Sequence, residues 1–118
     1  MREKIRDYDR LLHIKESILN IFEFVQDKSY DDLLNDKQMY FAVVKNIEII
    51  GEASNLLTKE YRDLHNQIPW QDIIDMRHVL VHGYYTTSPK FIWDTCTIDL
   101  PGLLTTIEQL IKDFPPLD

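Results

Sequence analysis

Apolar residues recur every three or four positions along nearly the whole chain, and no stretch keeps a strict two-residue alternation. That is the signature of amphipathic helices rather than strands. The first such segment predicts a helix from about Lys4 to Gln26, with Ile5, Tyr8, Leu12, Ile18, Phe22 and Val25 on one broad stripe. The polar run Asp27 to Asn35 reads as a connection. A second helix follows over Asp36 to Thr58, turning Met39, Val43, Ile47, Ile50, Ser54 and Leu57 inward. Gly51 sits inside it at a cost of about 1 kcal/mol relative to alanine. It is either simply tolerated there or needed for a close helix approach.

Lys59 to Asn66 has the length of a short helical turn. The segment "IPWQDII" then supplies a start signal, with Pro69 near the first helical position and a third main helix over Trp70 to Val81, ending toward Gly83. Ser88 followed by Pro89 is an N-cap and first-turn pair that opens a fourth helix. Pro101 either kinks that helix or separates it from a last one that ends near Phe114, before the stop "PPLD". The sum is an all-α protein, an up-and-down bundle of four to five helices, expected to be a single domain over residues 1–118.

Composition narrows this picture at three points. A single cysteine, Cys96, excludes an internal disulfide framework and a structural zinc site built on cysteines, and points to a reducing cytoplasm. No apolar run approaches the roughly 20 residues that cross a bilayer, and the charged start "MREKIRDYDR" lacks a signal core, so no membrane association is expected. The formal charge of −7 argues against broad non-specific coating of nucleic acid, whose affinity comes from neutralising phosphates. It leaves room for a local cationic pocket and for a basic partner.

Candidate chemistry concentrates in "MRHVLVHGYY", Met76 to Tyr85. On an ideal helix Arg77 and Tyr84 share a face, whereas Arg77 and His82, five apart, diverge by about 140°. They converge only if the helix loosens near Gly83 or a second copy supplies the other half. One chemistry on offer is a metal site from Asp75, His78 and His82, since histidines four apart suit zinc or nickel. The other is metal-free phosphodiester cleavage. Arginine offers a planar donor fork for phosphate oxygens. Histidine titrates near neutrality and can take the proton of a ribose 2′-OH or return one to the leaving oxygen. Spacing alone also accommodates a purely structural or capping role for these residues. Glu48 and Glu52, four apart in the second helix, either hold charge near such a cleft or face solvent. Trp70 and Trp93 could stack on bases but suit core or interface packing better. His13 and His65 read as surface residues, and Cys96 as an inert buried thiol.

The motif "RHVLVHGYY" has the form R-x4-H-x-Y through Arg77, His82 and Tyr84. With "EIIGEA" (Glu48 to Ala53), "IPW" (Ile68 to Trp70), Trp93 and "DLPGL" (Asp99 to Leu103), it resembles the HepT-like branch of the HEPN superfamily, formerly the DUF86 family. The resemblance spans most of the chain. It implies a helical bundle that forms a homodimer and brings two R-x4-H motifs together at the interface. It further implies a metal-independent endoribonuclease, the toxin of a toxin–antitoxin pair, with RNA as substrate and no cofactor. The implied antitoxin is a nucleotidyltransferase that adenylates the motif tyrosine. Carried over, Arg77 and His82 are the catalytic pair with His78 in support, Tyr84 is the modified residue, and Glu48 and Glu52 are supporting candidates. His78 stands where asparagine is frequent in the superfamily, and Gly83 where an acidic residue is frequent. The alternative is a dimer of the same fold that binds RNA or nucleotide, or docks the nucleotidyltransferase, without cutting.

Overall fold

The computed structural model describes residues 2–82 and 88–117, and all regular structure among them is helical. Four long rods form a bundle around one core. The first is α1 (Arg2–Val25), which packs on α3 (Lys37–Leu56); α3 packs on α5 (Trp70–His82). α1 also meets α7 (Leu100–Lys112), the second half of a rod that begins as α6 (Pro89–Asp94). Short helices α2 (Tyr30–Asn35) and α4 (Lys59–Leu64) fill two corners. The bundle measures 47 × 29 × 22 Å, so it is about two helix diameters thick.

One continuous core threads the rods: Leu11, Ile14, Ile18 and Ile21 of α1 meet Val43, Ile47 and Ile50 of α3, with Ile92 and Ile107 closing it from the last rod. The α3 stripe matches the expected one at every position, from Met39 through Leu57. On α1 the expected stripe is displaced. Ile18 is buried, but Ile5 and Leu12 are 42% and 37% exposed, and Leu11, Ile14 and Ile21 take the inward positions. The helix is apolar on two sides. Leu11, Ile14, Ile18 and Ile21 repeat at three- and four-residue steps and face α3, while Ile5, Leu12 and Leu19 recur every seven residues on the outer side.

The expected connection after α1 also contains more order than its polarity suggests. Asp27 adopts a left-handed φ of 59° and ends α1, after which Ser29 starts α2. Ser29 Oγ accepts from the Asp32 amide at 3.2 Å, and Asp32 Oδ2 accepts from the Ser29 amide at 2.8 Å. This reciprocal capping box satisfies two amides that a helix start otherwise leaves bare, and Leu33 anchors the turn in the core.

Ser88 caps α6 as expected, and Pro89 sits in its first turn. Pro101 neither ends the last rod nor simply bends it. A π-helical turn over Thr95–Asp99 joins α6 to α7, with the Leu100 amide donating to the Thr95 carbonyl. The wide turn lies immediately before the residue that lacks an N–H, so the missing bond is absorbed without breaking the rod.

Candidate functional site

The motif helix α5 is positioned from its first residue. The Ile73 amide donates to the Pro69 carbonyl at 3.2 Å, and the buried indole of Trp70 donates to the His65 carbonyl at 3.0 Å. The start of α5 is thereby tied to the end of α4. Trp70 is a packing residue, and Trp93, half-buried, lies against Tyr30 with ring centroids 6.4 Å apart. His13 is exposed as expected, while the His65 ring stacks on Tyr61 at 4.4 Å.

Along α5, Ile73 and Leu80 face the core and Arg77 lies between them on the same side of the helix. Arg77 therefore starts from the inner face, directly opposite Gly51 of α3. A Cβ built on Gly51 would fall well inside van der Waals contact of the Arg77 Cβ, with Arg77 Cγ at 3.1 Å and the Ile73 carbonyl at 3.2 Å. Glycine at this position is required by the close approach of two helices, which settles the open question about Gly51. The aliphatic stem of Arg77 runs along the glycine surface, and its guanidinium emerges at the rim, 35% exposed.

At the rim Arg77 Nε lies 3.1 Å from Glu52 Oε2. Glu48, one turn earlier, is directed to Lys45, with 3.9 Å between Nζ and Oε2. The structure thus separates two glutamates that spacing leaves equivalent: Glu52 belongs to the arginine, and Glu48 belongs to a lysine on its own helix. His78 is exposed on α5, and His82 is the last residue of that helix. Tyr84 and Gly83 lie outside the described residues. Among those described, no group of three or more His, Cys, Asp or Glu side chains is arranged to hold a metal ion. No described helix is long and apolar enough to cross a membrane.

Two concavities among the described residues lie away from Arg77. One of about 670 Å³ opens between the start of α1, α4 and the end of α7, around Asp7, Tyr61 and Phe114. Another of about 660 Å³ follows the sparse contact between α5 and the last rod, lined by Ile73, Met76, Phe91 and Ile98. Neither is lined by Arg77. Its guanidinium is partly exposed at the rim, and Ile49 and Leu56 of α3 and Val79 and Val81 of α5 are exposed as well. Burial pushes the Cys96 thiol up to about 12, in keeping with an unreactive core residue.

The sequence pattern of the ribonuclease HepT-like family matches residues 14–110, from the middle of α1 to the last turns of α7. A "Probable ribonuclease HepT" from Thermococcus cleftensis is 38% identical over 112 residues, covering 95% of this chain and 100% of that protein. A "Gamma-glutamylcyclotransferase and putative RNase" from Methanocaldococcus jannaschii is 37% identical over 118 residues. That alignment takes in all of this chain and 51% of the relative, so the chain spans about half of its length. A "Putative RNase" from Caldanaerobacter subterraneus subsp. tengcongensis is 33% identical over 102 residues, 86% of this chain and 91% of the relative. No solved structure gives a significant match. The matched segment holds all of α3 and α5, and with them the Gly51–Arg77 crossing and the R-x4-H-x-Y motif: the chain belongs to the ribonuclease HepT-like family.

Proposed function

We propose that this chain is a metal-independent endoribonuclease that acts as the toxin of a toxin–antitoxin pair in the cytoplasm. The observation that carries the reading is the placement of Arg77. Its stem is wedged at the closest point of α3 and α5, and its guanidinium is presented to an open face, on the helix that ends in His82. A charged fork fixed at its base and open at its tip suits the oxygens of a phosphodiester.

In this reading His82 removes the proton of a ribose 2′-OH, and the 2′-oxygen attacks the adjacent phosphorus. Arg77 stabilises the charge that develops on the equatorial oxygens. The P–O5′ bond breaks, and the departing 5′-oxygen takes up a proton from a protonated imidazole. The products are a 2′,3′-cyclic phosphate and a 5′-hydroxyl. His78 supports the site from the exposed side of α5. The nucleophile belongs to the RNA, so the chemistry uses neither metal nor cofactor.

The site is completed by a second copy. Arg77 and His82 are poorly aligned on one regular helix, and the arginine carries a partly exposed guanidinium at the rim of its own chain. A two-fold contact through this face sets each motif opposite its copy. Silencing follows from the same geometry. The antitoxin nucleotidyltransferase joins the Tyr84 oxygen to the α-phosphorus of ATP and releases pyrophosphate. The new phosphate then occupies the ground that Arg77 offers to RNA.

A second reading, a dimer that binds RNA or docks the nucleotidyltransferase without cutting, draws on the net charge of −7 and on His78. One experiment separates the two. Protein shown by mass spectrometry to lack adenylate on Tyr84 is incubated in EDTA with a tRNA and mRNA pool, beside folded Arg77→Ala and His82→Ala variants. Cutting by wild type alone, leaving cyclic phosphate ends, is the expected result. Restored cutting on mixing the two inactive variants places the site across two copies. Binding without cutting by unmodified wild type refutes the ribonuclease reading.

A further inference from the structure

The Arg77–Glu52 pair raises a question of its own, because a half-exposed surface ion pair of this kind contributes little to stability. Its effect is better measured in geometry. An unpaired arginine side chain samples many rotamers, and the stem of Arg77 is fixed only as far as Gly51 holds it. Beyond that point Glu52 meets the guanidinium at 3.1 Å, and it does so through Nε. A carboxylate drawn up beside Nε restrains the group from its side by charge, an approach that does not use the two terminal amino groups. Glu52 adjoins Gly51 in sequence, so the residue that admits the arginine and the one that orients it come from the same turn of α3.

We propose that Glu52 is the positioning residue for Arg77: it holds the guanidinium so that its terminal nitrogens meet a phosphodiester end-on, as a fork. This rests on the ribonuclease reading of the site and adds to it a residue outside the R-x4-H motif. Glu52 touches no reacting atom. Its negative charge also stands beside the bound phosphate, so orientation comes with some repulsion of substrate. Position and charge therefore have separable effects.

Glu52→Ala removes both, and Glu52→Gln removes the charge while keeping a side chain of the same length with an amide oxygen beside Nε. For Glu52→Ala the expected result is a kcat reduced roughly 10- to 100-fold, in line with loss of an oriented catalytic group, and an almost unchanged Tm. For Glu52→Gln, kcat recovers to within a few-fold of wild type and KM for RNA falls. In parallel, the Arg77 Nε–Hε resonance, assigned by its loss in Arg77→Lys, is protected from exchange in wild type and Glu52→Gln and exchanges rapidly in Glu52→Ala. Overturning results are a kcat for Glu52→Ala at or above wild type, or Glu52→Gln failing as badly as Glu52→Ala. An Arg77 resonance indifferent to both substitutions also overturns the proposal. The resonance does not depend on turnover. If unmodified wild type cuts no RNA, the ribonuclease reading fails, while the spectrum still decides whether Glu52 orients Arg77.

Discussion

Replacing Gly51 with alanine tests the fold and the site at once. In an unconstrained helix interior the change would add about 1 kcal/mol of stability through propensity. Here the new methyl would fall inside contact distance of the Arg77 Cβ, with the Ile73 carbonyl 3.2 Å away. Carbon pairs settle near 3.5–4.0 Å, and both obstructing groups are attached rigidly to α5, so no rotamer change relieves the clash. α5 must move off α3 by on the order of 1 Å, and overpacking of this type costs about 1–3 kcal/mol. The two contributions leave a net loss of about 0–2 kcal/mol, or a Tm lowered by up to roughly 8 °C for a chain of this size. Gly102 provides an internal control. Its Cβ would meet nothing within 4 Å, so Gly102→Ala should hold or raise the Tm. Activity should respond more strongly than stability, because a shift of about 1 Å in a positioning element can cost on the order of 100-fold. The assays are thermal unfolding followed by circular dichroism and RNA cleavage on the same preparations. A Gly51→Ala protein as stabilised as Gly102→Ala, with wild-type cleavage, would refute the close approach of α3 and α5 at Arg77.

Three further outcomes follow from particular contacts. Asp7 is buried and accepts from both the amide of Thr58 at 2.8 Å and its hydroxyl at 2.7 Å, pinning α1 to the α3–α4 corner. Asp7→Ala should cost about 2–3 kcal/mol and lower the Tm by roughly 10 °C; an unchanged denaturation midpoint would show that the corner holds without it. Arg77→Lys keeps the charge but replaces a fork with a single ammonium, so cleavage should fall about 100-fold with the Tm little altered, and near-wild-type cleavage would refute the fork. Burial raises the Cys96 thiol from its usual 9.0 to about 12, and burial with the neighbouring Asp7 raises the Tyr61 hydroxyl from 10.0 to about 12. Between those limits the unfolded chain loses protons that the folded chain keeps. Stability from these groups is therefore intact below about pH 9 and declines as pH rises toward 12. A Tm that stays level from pH 8 to 11, or ready alkylation of native Cys96 by iodoacetamide at pH 8, would contradict this.

How much of this was legible in the sequence depended on how many solutions each pattern allowed. α3 is apolar on one side only, so its buried set could be read directly from Met39 to Leu57. α1 offers two apolar faces, and only packing against α3 decides that Leu11 and Ile14 go in while Ile5 and Leu12 stay out. α2 escaped notice because its six residues carry no full period; the signal available was Ser29 with Asp32 three positions later, followed by Leu33. The π turn before Pro101 left no mark beyond the proline itself. At the site, the R-x4-H-x-Y spacing singled out Arg77, His82 and Tyr84. It could not tell Glu52 from Glu48, since four-residue spacing puts both on one face and the difference lies in what α5 places opposite each.

That difference places the candidate site on two helices rather than one. The segment Ile50 to Ser54 of α3 gives consecutive residues distinct surroundings. Ile50 is 1% exposed in the core, Gly51 admits the arginine, Glu52 meets it, and Ala53 and Ser54 return to the interior. A helix turns about 100° per residue, so it can set an entry point and an oriented partner side by side only when one residue lacks a side chain and the next carries an acceptor. Alanine at 51 closes the entry, and alanine at 52 removes the partner. The motif helix supplies the candidate functional groups, but its arginine runs along and pairs with the α3 surface it crosses. A variant search confined to α5 would therefore miss Gly51 and Glu52, the α3 residues against which Arg77 lies.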